Sequence, residues 1–246
     1  NIVGAGRVGQ TLAYQWHQRS VFAVQDVLTR SDASARAACS RIGAGTPHTA
    51  LSALHRADVW MLAVPDAELP NCAAALAAVQ PAQAEPARPV IAFHCSGALG
   101  SEVLAPLAAL GWHTASAHCL LSFAHIDTAL AQFPGTPCAL EGSATACEPL
   151  RQAFAAIGAQ CFTLASSDKL LYHAAAVFAT NFLPVLQATA EDLWTRTGMP
   201  PALVAHARAA LLRNAVANIT TLGPQAALTG PAARGDHTAI ERQGAA

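Results

Sequence analysis

Three glycines near the start of the chain limit its fold more than any other feature. Gly4, Gly6 and Gly9 keep the spacing G-x-G-x-x-G, with Ala5, Arg7 and Val8 between them. Ile2 and Val3 read as the end of a buried strand, and a helix-like run starts at Gln10. Each glycine has a reason to be there. Gly4 permits a tight turn out of the strand, Gly6 bares the backbone to an approaching group, and Gly9 lets the helix lie close to the sheet. The helix start offers unpaired N–H groups and a partial positive charge. The spacing predicts a diphosphate cradle made of Gly4, Gly6, Arg7, Val8 and Gly9. The chain opens in mid-motif, so a short stretch ahead of Asn1 is expected, and Gln243-Gly244-Ala245-Ala246 reads as a ragged stop.

A second strand is expected over 24–29. It ends at Arg30-Ser31, about 20 residues past the glycines, where such a fold usually sets an acid on the ribose diol. Arg30 would instead pair with a 2′-phosphate, and Ser31 would donate to it. NADP is therefore favoured over NAD. The alternative leaves Arg30 on the surface and gives the ribose to Asp26 or Asp32.

Further strands are expected over 59–64, 89–93, 112–117, 136–140 and 160–164, with helices over 34–42, 69–79, 101–110 and 145–157. The run 59–64 is apolar throughout, as in a strand buried on both faces of a parallel sheet. Val64 and Pro65 end it at the edge where ligands bind in such sheets, and Asp66 is expected to cap the next helix. Residues 81–89 read as a Pro/Ala loop. After Ala165 the texture changes. Ser166 or Ser167 is expected to cap a long helix to about Thr197, kinked at Pro184. Pro200-Pro201 opens another to about Asn218, and 228–236 reads as a polar loop. Strands alternating with helices, then helices alone, predict an α/β fold: a doubly wound sheet over 1–165, then an all-helical domain over 166–246.

Lys and Arg total 14 against 15 Asp and Glu, a net charge of −1, so no basic field exists to hold nucleic acid or anionic lipid. Hydrophobic residues make up 53% and charged ones 12%, which favours a buried, helix-rich protein. No uninterrupted apolar run is long enough to span a bilayer, so no membrane is expected. Seven cysteines without a C-x-x-C pair read as free thiols in a reducing cytoplasm. The ten histidines form no metal-binding spacing, so no metal is expected, and His17, His48, His55 and His206 are given no role.

Three groups of residues are candidates for chemistry. Ser96 and His118 follow successive strands on one sheet edge. A histidine there can take or give the proton that accompanies a hydride, and the serine can orient a substrate oxygen. His94, one step nearer the strand, reads as a packing or loop residue. Lys169, His173, Val177 and Asn181 recur every four residues and so share one helix face. His173 and Asn181 would meet a ligand in a cleft between domains, or bond to a neighbouring helix. Arg234 would hold a substrate carboxylate, with Asp236 beside it, unless that loop is simply solvated.

Gly4–Gly9, Thr29-Arg30-Ser31, Ala63-Val64-Pro65-Asp66, Ser96-Gly97-Ala98-Leu99, the run from Tyr172-His173 to Asn181, and Leu228-Thr229-Gly230-Pro231 with Arg234-Gly235-Asp236 together resemble one protein group. Its members join a Rossmann-like domain to a C-terminal domain of unknown function and are described as NADP- or deazaflavin-dependent oxidoreductases. The N-terminal half is also similar to pyrroline-5-carboxylate, ketopantoate, 3-hydroxyacid and prephenate enzymes, whose helical second domain resembles that of 6-phosphogluconate dehydrogenase. In prephenate dehydrogenases a catalytic histidine and serine match His118 and Ser96 in order, although Cys119 stands where proline usually follows. Ketopantoate reductases use Lys-x-x-x-Asn on the long helix. Asn181 fits that asparagine, but Val177 replaces the lysine.

The resemblance implies hydride transfer between NADP, or NAD, and a small polar substrate, with a deazaflavin as a possible co-substrate. His118, Ser96, His173 and Asn181 would be catalytic. A homodimer is expected, because alanine-rich helical faces need burial. The rival reading is a sensor or assembly protein that binds a dinucleotide without turnover.

Overall fold

The glycine turn joins β1 (Ile2–Val3) to α1 (Arg7–Gln18). The protein is seen here as a computed structural model that describes residues 1–80 and 89–246. The Pro/Ala loop expected over 81–89 falls, but for its last residue, outside the described residues. β2 (Asp26–Leu28), α2 (Asp32–Ile42), β3 (Thr46–His48), β4 (Val59–Leu62), α3 (Leu69–Val79) and β5 (Ile91–His94) follow. Then come α4 (Ala105–Ala108), β6 (His113–Cys119), α5 (Ile126–Gln132), β7 (Pro137–Gly142), α6 (Ala144–Ala156) and β8 (Gln160–Thr163).

The strands form one sheet in the order β3-β2-β1-β4-β5-β6-β7-β8, parallel except where β7 meets β6. This is the expected doubly wound sheet, with one strand the sequence did not suggest. β3 is three residues long and contains Pro47. An edge strand tolerates proline, because its N–H side need not bond.

Register decides where the site can be. Val3 pairs with Leu62, Leu62 with His94, and His94 with Ser116, so one row crosses four strands. The residues just past that row are Gly4, Ala63-Val64, Ser96-Gly97 and Ala117-His118, all at one carboxyl edge. His118 lies inside β6, one residue before its end, and not in a loop after it.

Both faces of the sheet are buried. On one, Trp16 stacks edge-on with Phe22, Phe93 and Phe154 at 5.1–6.2 Å. Its indole N–H donates to the Ala153 carbonyl at 2.9 Å. On the other, Trp60 and Trp112 pack at 5.3 Å among Leu62, Leu69, Leu76 and Leu104.

The long helix expected from 166 is broken into parts. A 3₁₀ turn, Ser166–Asp168, leads to α7 (Lys169–Ala176), a π turn (Val177–Asn181) and α8 (Phe182–Arg196). The predicted serine cap is absent: no side chain caps the 3₁₀ turn or α7, and the Ser166 hydroxyl donates to Glu141 instead, at 2.7 Å. The irregular turn comes just ahead of Pro184, which has no N–H to give the carbonyl four residues back. Then follow α9 (Pro201–Leu222), α10 (Pro224–Ala227), α11 (Gly230–Ala233) and α12 (His237–Ala245). The segment read as a polar loop, 228–236, is thus loop and turn around one four-residue helix, α11.

The chain divides into two compact units, Asn1–Val177 and Phe178–Ala246. The division falls later than the change of texture at Ala165, because α7 is tied to the sheet through Lys169 and Tyr172. By length and composition the helix run Ser166–Arg196 passes as a membrane span, with a mean hydropathy of 1.3. Its first turns, however, bond to the sheet unit, and Glu191, Asp192 and Arg196 sit in its last two turns.

Candidate active site

The turn after β1 is built as its glycines suggest. Gly4 has φ +86°, and a Cβ there would meet the Ala63 carbonyl oxygen at 2.8 Å and the Val64 side chain at 2.7 Å. At Gly9 a Cβ would lie 2.7 Å from the Gly4 oxygen. The fold itself demands these two. Gly6 is different: its φ is −73° and a Cβ would touch nothing within 4 Å. Gly6 is also the N-cap of α1, where no side chain bonds and no acid occupies the first turn. The N-terminus of a twelve-residue helix therefore stands open, with bare backbone beside it, which fits a diphosphate.

After β2, Arg30 is exposed and makes no hydrogen bond or ion pair among the described residues. Ser31 is the N-cap of α2. Its Oγ accepts from the Ser34 N–H at 3.2 Å and lies 2.9 Å from the Ser34 hydroxyl. The structure thus gives Ser31 a capping task that competes with the donor role expected of it. Asp26 is removed as the alternative ribose ligand. It opens β2, far from the carboxyl edge, and its buried carboxylate is bound by His48 and His55. Asp32 accepts from Arg36 at 2.7 Å.

Where β5, β6 and α7 meet, one knot of polar groups surrounds Gly97. Lys169 is only 1% exposed, and its ammonium donates to the Ser96 carbonyl at 3.2 Å and the Ser116 hydroxyl at 2.5 Å. Burial lowers its pKa, against the nearby carboxylates of Glu141, Glu102 and Asp66. One turn on, the Tyr172 hydroxyl lies 3.0 Å from His118 Nδ1 and 3.3 Å from the His118 carbonyl oxygen. Both contacts are hydrogen bonds only if Tyr172 donates to the carbonyl and the ring donates through Nδ1–H. That tautomer leaves the lone pair on Nε2. Burial, the His173 ring and the Lys169 ammonium together push His118 down to about 4. The His118 and His173 rings meet edge-on at 5.8 Å. Both press on Gly97, where a Cβ would lie 2.8 Å from His118 Nε2 and 2.5 Å from His173 Nδ1. His173 Nδ1 is buried without a hydrogen-bond partner.

Ser96 does not keep the role expected of it. Its hydroxyl donates to Asp66 at 2.7 Å and accepts from the N–H groups of Ala98 and Leu99 at 3.2 and 3.0 Å. A hydroxyl has one proton and two lone pairs, so none is left for a substrate oxygen. Asp66 in turn is no helix cap: no side chain caps the turn it begins. His94 ends β5 and behaves as a packing residue, one of the two expectations. It is fully buried, accepts from the Ser96 N–H at 3.2 Å and donates to the Gly100 carbonyl at 3.0 Å, and burial lowers its pKa.

Asn181 belongs to the second unit. It ends the π turn, which breaks the four-residue period that aligned it with Lys169 and His173. Its amide oxygen accepts from Thr180 at 2.8 Å. Asp236 caps α12, accepting from the Ala239 N–H at 3.0 Å, so a local task accounts for it. Arg234 is exposed. Tyr172, Ser116 and Gly97 were not singled out as site residues from the sequence, and Lys169 was named there only as a member of the helix stripe. The available signal was Lys169 itself, the only lysine in a chain whose other basic side chains are arginines.

Residues 1–119 match the Rossmann-like domain family, and residues 136–246 match DUF2520, a domain of unknown function. No curated protein matches the sequence. Among solved structures, protein TM1727 from Thermotoga maritima is 26% identical, over 99% of this chain and 87% of that one, with a TM-score of 0.72. The proposed NADP oxidoreductase BF3122 from Bacteroides fragilis is 20% identical, over 98% and 88%, with a TM-score of 0.75. A reductive aminase from Aspergillus terreus, solved with NADPH and ethyl-5-oxohexanoate, is 14% identical, over 91% and 75%, with a TM-score of 0.65. These last two share the fold. The chain belongs with the proteins that join a Rossmann-like domain to a DUF2520 domain.

Proposed function

We propose that the protein binds NADP(H) on the Gly4–Gly9 turn and transfers a hydride to or from a small polar substrate. The observation that carries this reading is Gly6. Neither its backbone angles nor any neighbouring atom requires glycine there; an N-cap prefers glycine to alanine, but the bare backbone at an open helix start also suits a group that comes close from outside the chain. Gly4, Arg7, Val8 and Gly9 shape the same cradle, Val64 packs against it with Pro65 next in the chain, and Arg30 is the free cation for a 2′-phosphate. Solved relatives of the same fold include one described as an NADP oxidoreductase and one that holds NADPH. None of the compared proteins supports a deazaflavin.

Bound NADP would supply the hydride acceptor, or NADPH the donor. His118 handles the proton. Its Nε2 lone pair is free in the tautomer set by Tyr172, and the ring is uncharged at neutral pH, so Nε2 can accept a hydrogen bond from a substrate hydroxyl or amine. Burial makes it a weak base in the free protein, and the negative charge of a bound NADP diphosphate or substrate carboxylate would raise its basicity for proton transfer. His173 lies edge-on to His118 beside Gly97, and Lys169, on the same helix as His173, ties the end of β5 to β6 through Ser96 and Ser116. Asn181 keeps an orienting role on the resemblance, and Arg234 a carboxylate-binding role on the chemistry of its guanidinium. The second unit exposes Phe178, Leu186 and Leu211, which fits a homodimer formed through its helices.

The committed Ser96 hydroxyl favours a second reading, a dinucleotide-binding protein without turnover. Two measurements separate these. NADPH should raise Tm more than NADH does; a larger rise with NADH removes the role given to Arg30. His118→Gln should abolish substrate-dependent NADPH formation while sparing the NADPH-induced rise. Wild-type protein that binds NADPH yet turns over no alcohol or amine in a broad panel supports the sensor.

A further inference from the structure

At the β3 side of the sheet, Asp26, His48 and His55 bring three metal-ligating atoms within 4.8 Å of one another. Their spacing in sequence, 22 residues and then seven, forms no known motif, so only the fold reveals them. Asp26 opens β2, His48 ends the neighbouring edge strand β3, and His55 lies in the segment leading to β4. His48 Nε2 is 3.0 Å from Asp26 Oδ1, and His55 Nδ1 is 3.2 Å from Asp26 Oδ2. The His55 N–H donates to Oδ2 at 2.7 Å, which pins its loop in place.

We propose that Asp26, His48 and His55 form a site for one divalent transition-metal ion of the zinc class. The spacing fits. Two ligands on a tetrahedral zinc ion, each about 2.0–2.1 Å from it, lie about 3.3 Å apart. The carboxylate–imidazole separations are within a few tenths of an ångström of that. Each imidazole would keep its single proton on its other ring nitrogen. The Asp26 side chain is 1% exposed and that of His48 15%, whereas that of His55 is 69% exposed. His55 can therefore swing to close the triangle, and its open side leaves a coordination position for water. The carboxylate supplies the charge. Its hydrogen-bond partners are the two histidines and the Gln25 amide, none of them a lysine or arginine. A buried anion so placed favours a cation beside it. Two imidazoles and one carboxylate suit zinc, cobalt or nickel better than calcium or magnesium. The ion would fasten the short edge strand β3 and the 49–58 segment to the interior of the sheet. This inference is independent of the dinucleotide reading.

A plain hydrogen-bonded hub uses the same atoms, and the two differ in what added metal does. Tag-free protein stripped with EDTA should take up one equivalent of Co2+ with an intense visible absorption. Saturating Zn2+ should quench that band and raise Tm by about 5 °C or more. His55→Ala, at an exposed position, should lose both responses while remaining folded, and Asp26→Asn should lose them too. No absorption and no shift in the wild type would overturn the proposal. So would responses that persist undiminished in His55→Ala, since the metal would then lie elsewhere.

Discussion

The two units of this chain place their apolar residues in opposite ways. The sheet unit buries Trp16, Trp60, Phe93, Phe133 and Phe154 almost completely. In the helical unit Val204 is the one buried residue, while Phe178 is 74% exposed and Leu186 62%. Most large apolar residues of the first unit are explained by what they touch inside it, the exposed Leu170 and Leu171 of its last helix being exceptions. Most in the second are not. A helix earns most of its stability from packing one face, and the helical unit leaves far more of its apolar faces open.

The contrast is tested most severely at Trp16. Its ring meets three phenylalanines, and its N–H reaches a carbonyl on α6. Trp16→Ala should cost about 3–5 kcal/mol in urea unfolding. A loss below about 1 kcal/mol would mean that the sheet unit is packed more loosely than described.

Next in size is an acid loss confined to the sheet unit. His118 is held at about 4 when folded, against an ordinary value near 6.5. Between those values the unfolded chain takes up a proton that the folded chain refuses. Stability is therefore complete above about pH 6.5, falls as pH falls, and stops falling on this account below about pH 4. The slope is about 1.4 kcal/mol per pH unit, roughly 3 kcal/mol in all. Buried His94 acts in the same direction. Urea midpoints at pH 7 and pH 5 measure it, and His118→Gln should flatten the difference. An unchanged pH dependence in that variant would return the loss to other groups.

How much could be read beforehand follows the same line. The glycine turn, the sheet and the carboxyl edge were legible, because strand periodicity and turn chemistry are local. β3 was not, since three residues around Pro47 carry no pattern. The site was half legible. Ser96 and His118 came from their place after strands, but the hydroxyl's three bonds depend on Asp66, thirty residues earlier in the chain, and on the loop's own N–H groups. Lys169 stood in view as the lone lysine, yet a lysine on an amphipathic helix ordinarily faces water. Only packing reveals that its ammonium joins Ser96 to Ser116. Asn181 was placed by helical period, which the π turn before Pro184 interrupts.

In the helical unit the expected loss on truncation is small and depends on company. For the separated chain, Leu211→Ser should change stability by less than about 0.5 kcal/mol, because the side chain is 58% exposed. If a second copy covers α9, the same change should lower the dimer's mass-action stability and make Tm depend on protein concentration. Light scattering at two concentrations reads this directly. A wild type that stays monomeric at high concentration would leave the exposed leucines unexplained and remove the dimer.

A test at Gly6 is the most informative, because Gly6 is the residue on which the proposed dinucleotide site rests. Its φ of −73° suits alanine, and the added methyl meets no atom within 4 Å. Gly6→Ala should therefore cost no more than about 1 kcal/mol in urea unfolding, the loss expected when alanine replaces glycine at an N-cap. Gly4→Ala is the contrast, since φ +86° and the Ala63 oxygen at 2.8 Å oppose any side chain. If the open helix start holds a diphosphate, the same methyl stands where the phosphate must come close, and NADPH should bind roughly tenfold more weakly or worse. A folded Gly6→Ala protein that binds NADPH as well as wild type would show that the bare backbone serves no ligand, and the proposed hydride chemistry would lose the observation that supports it.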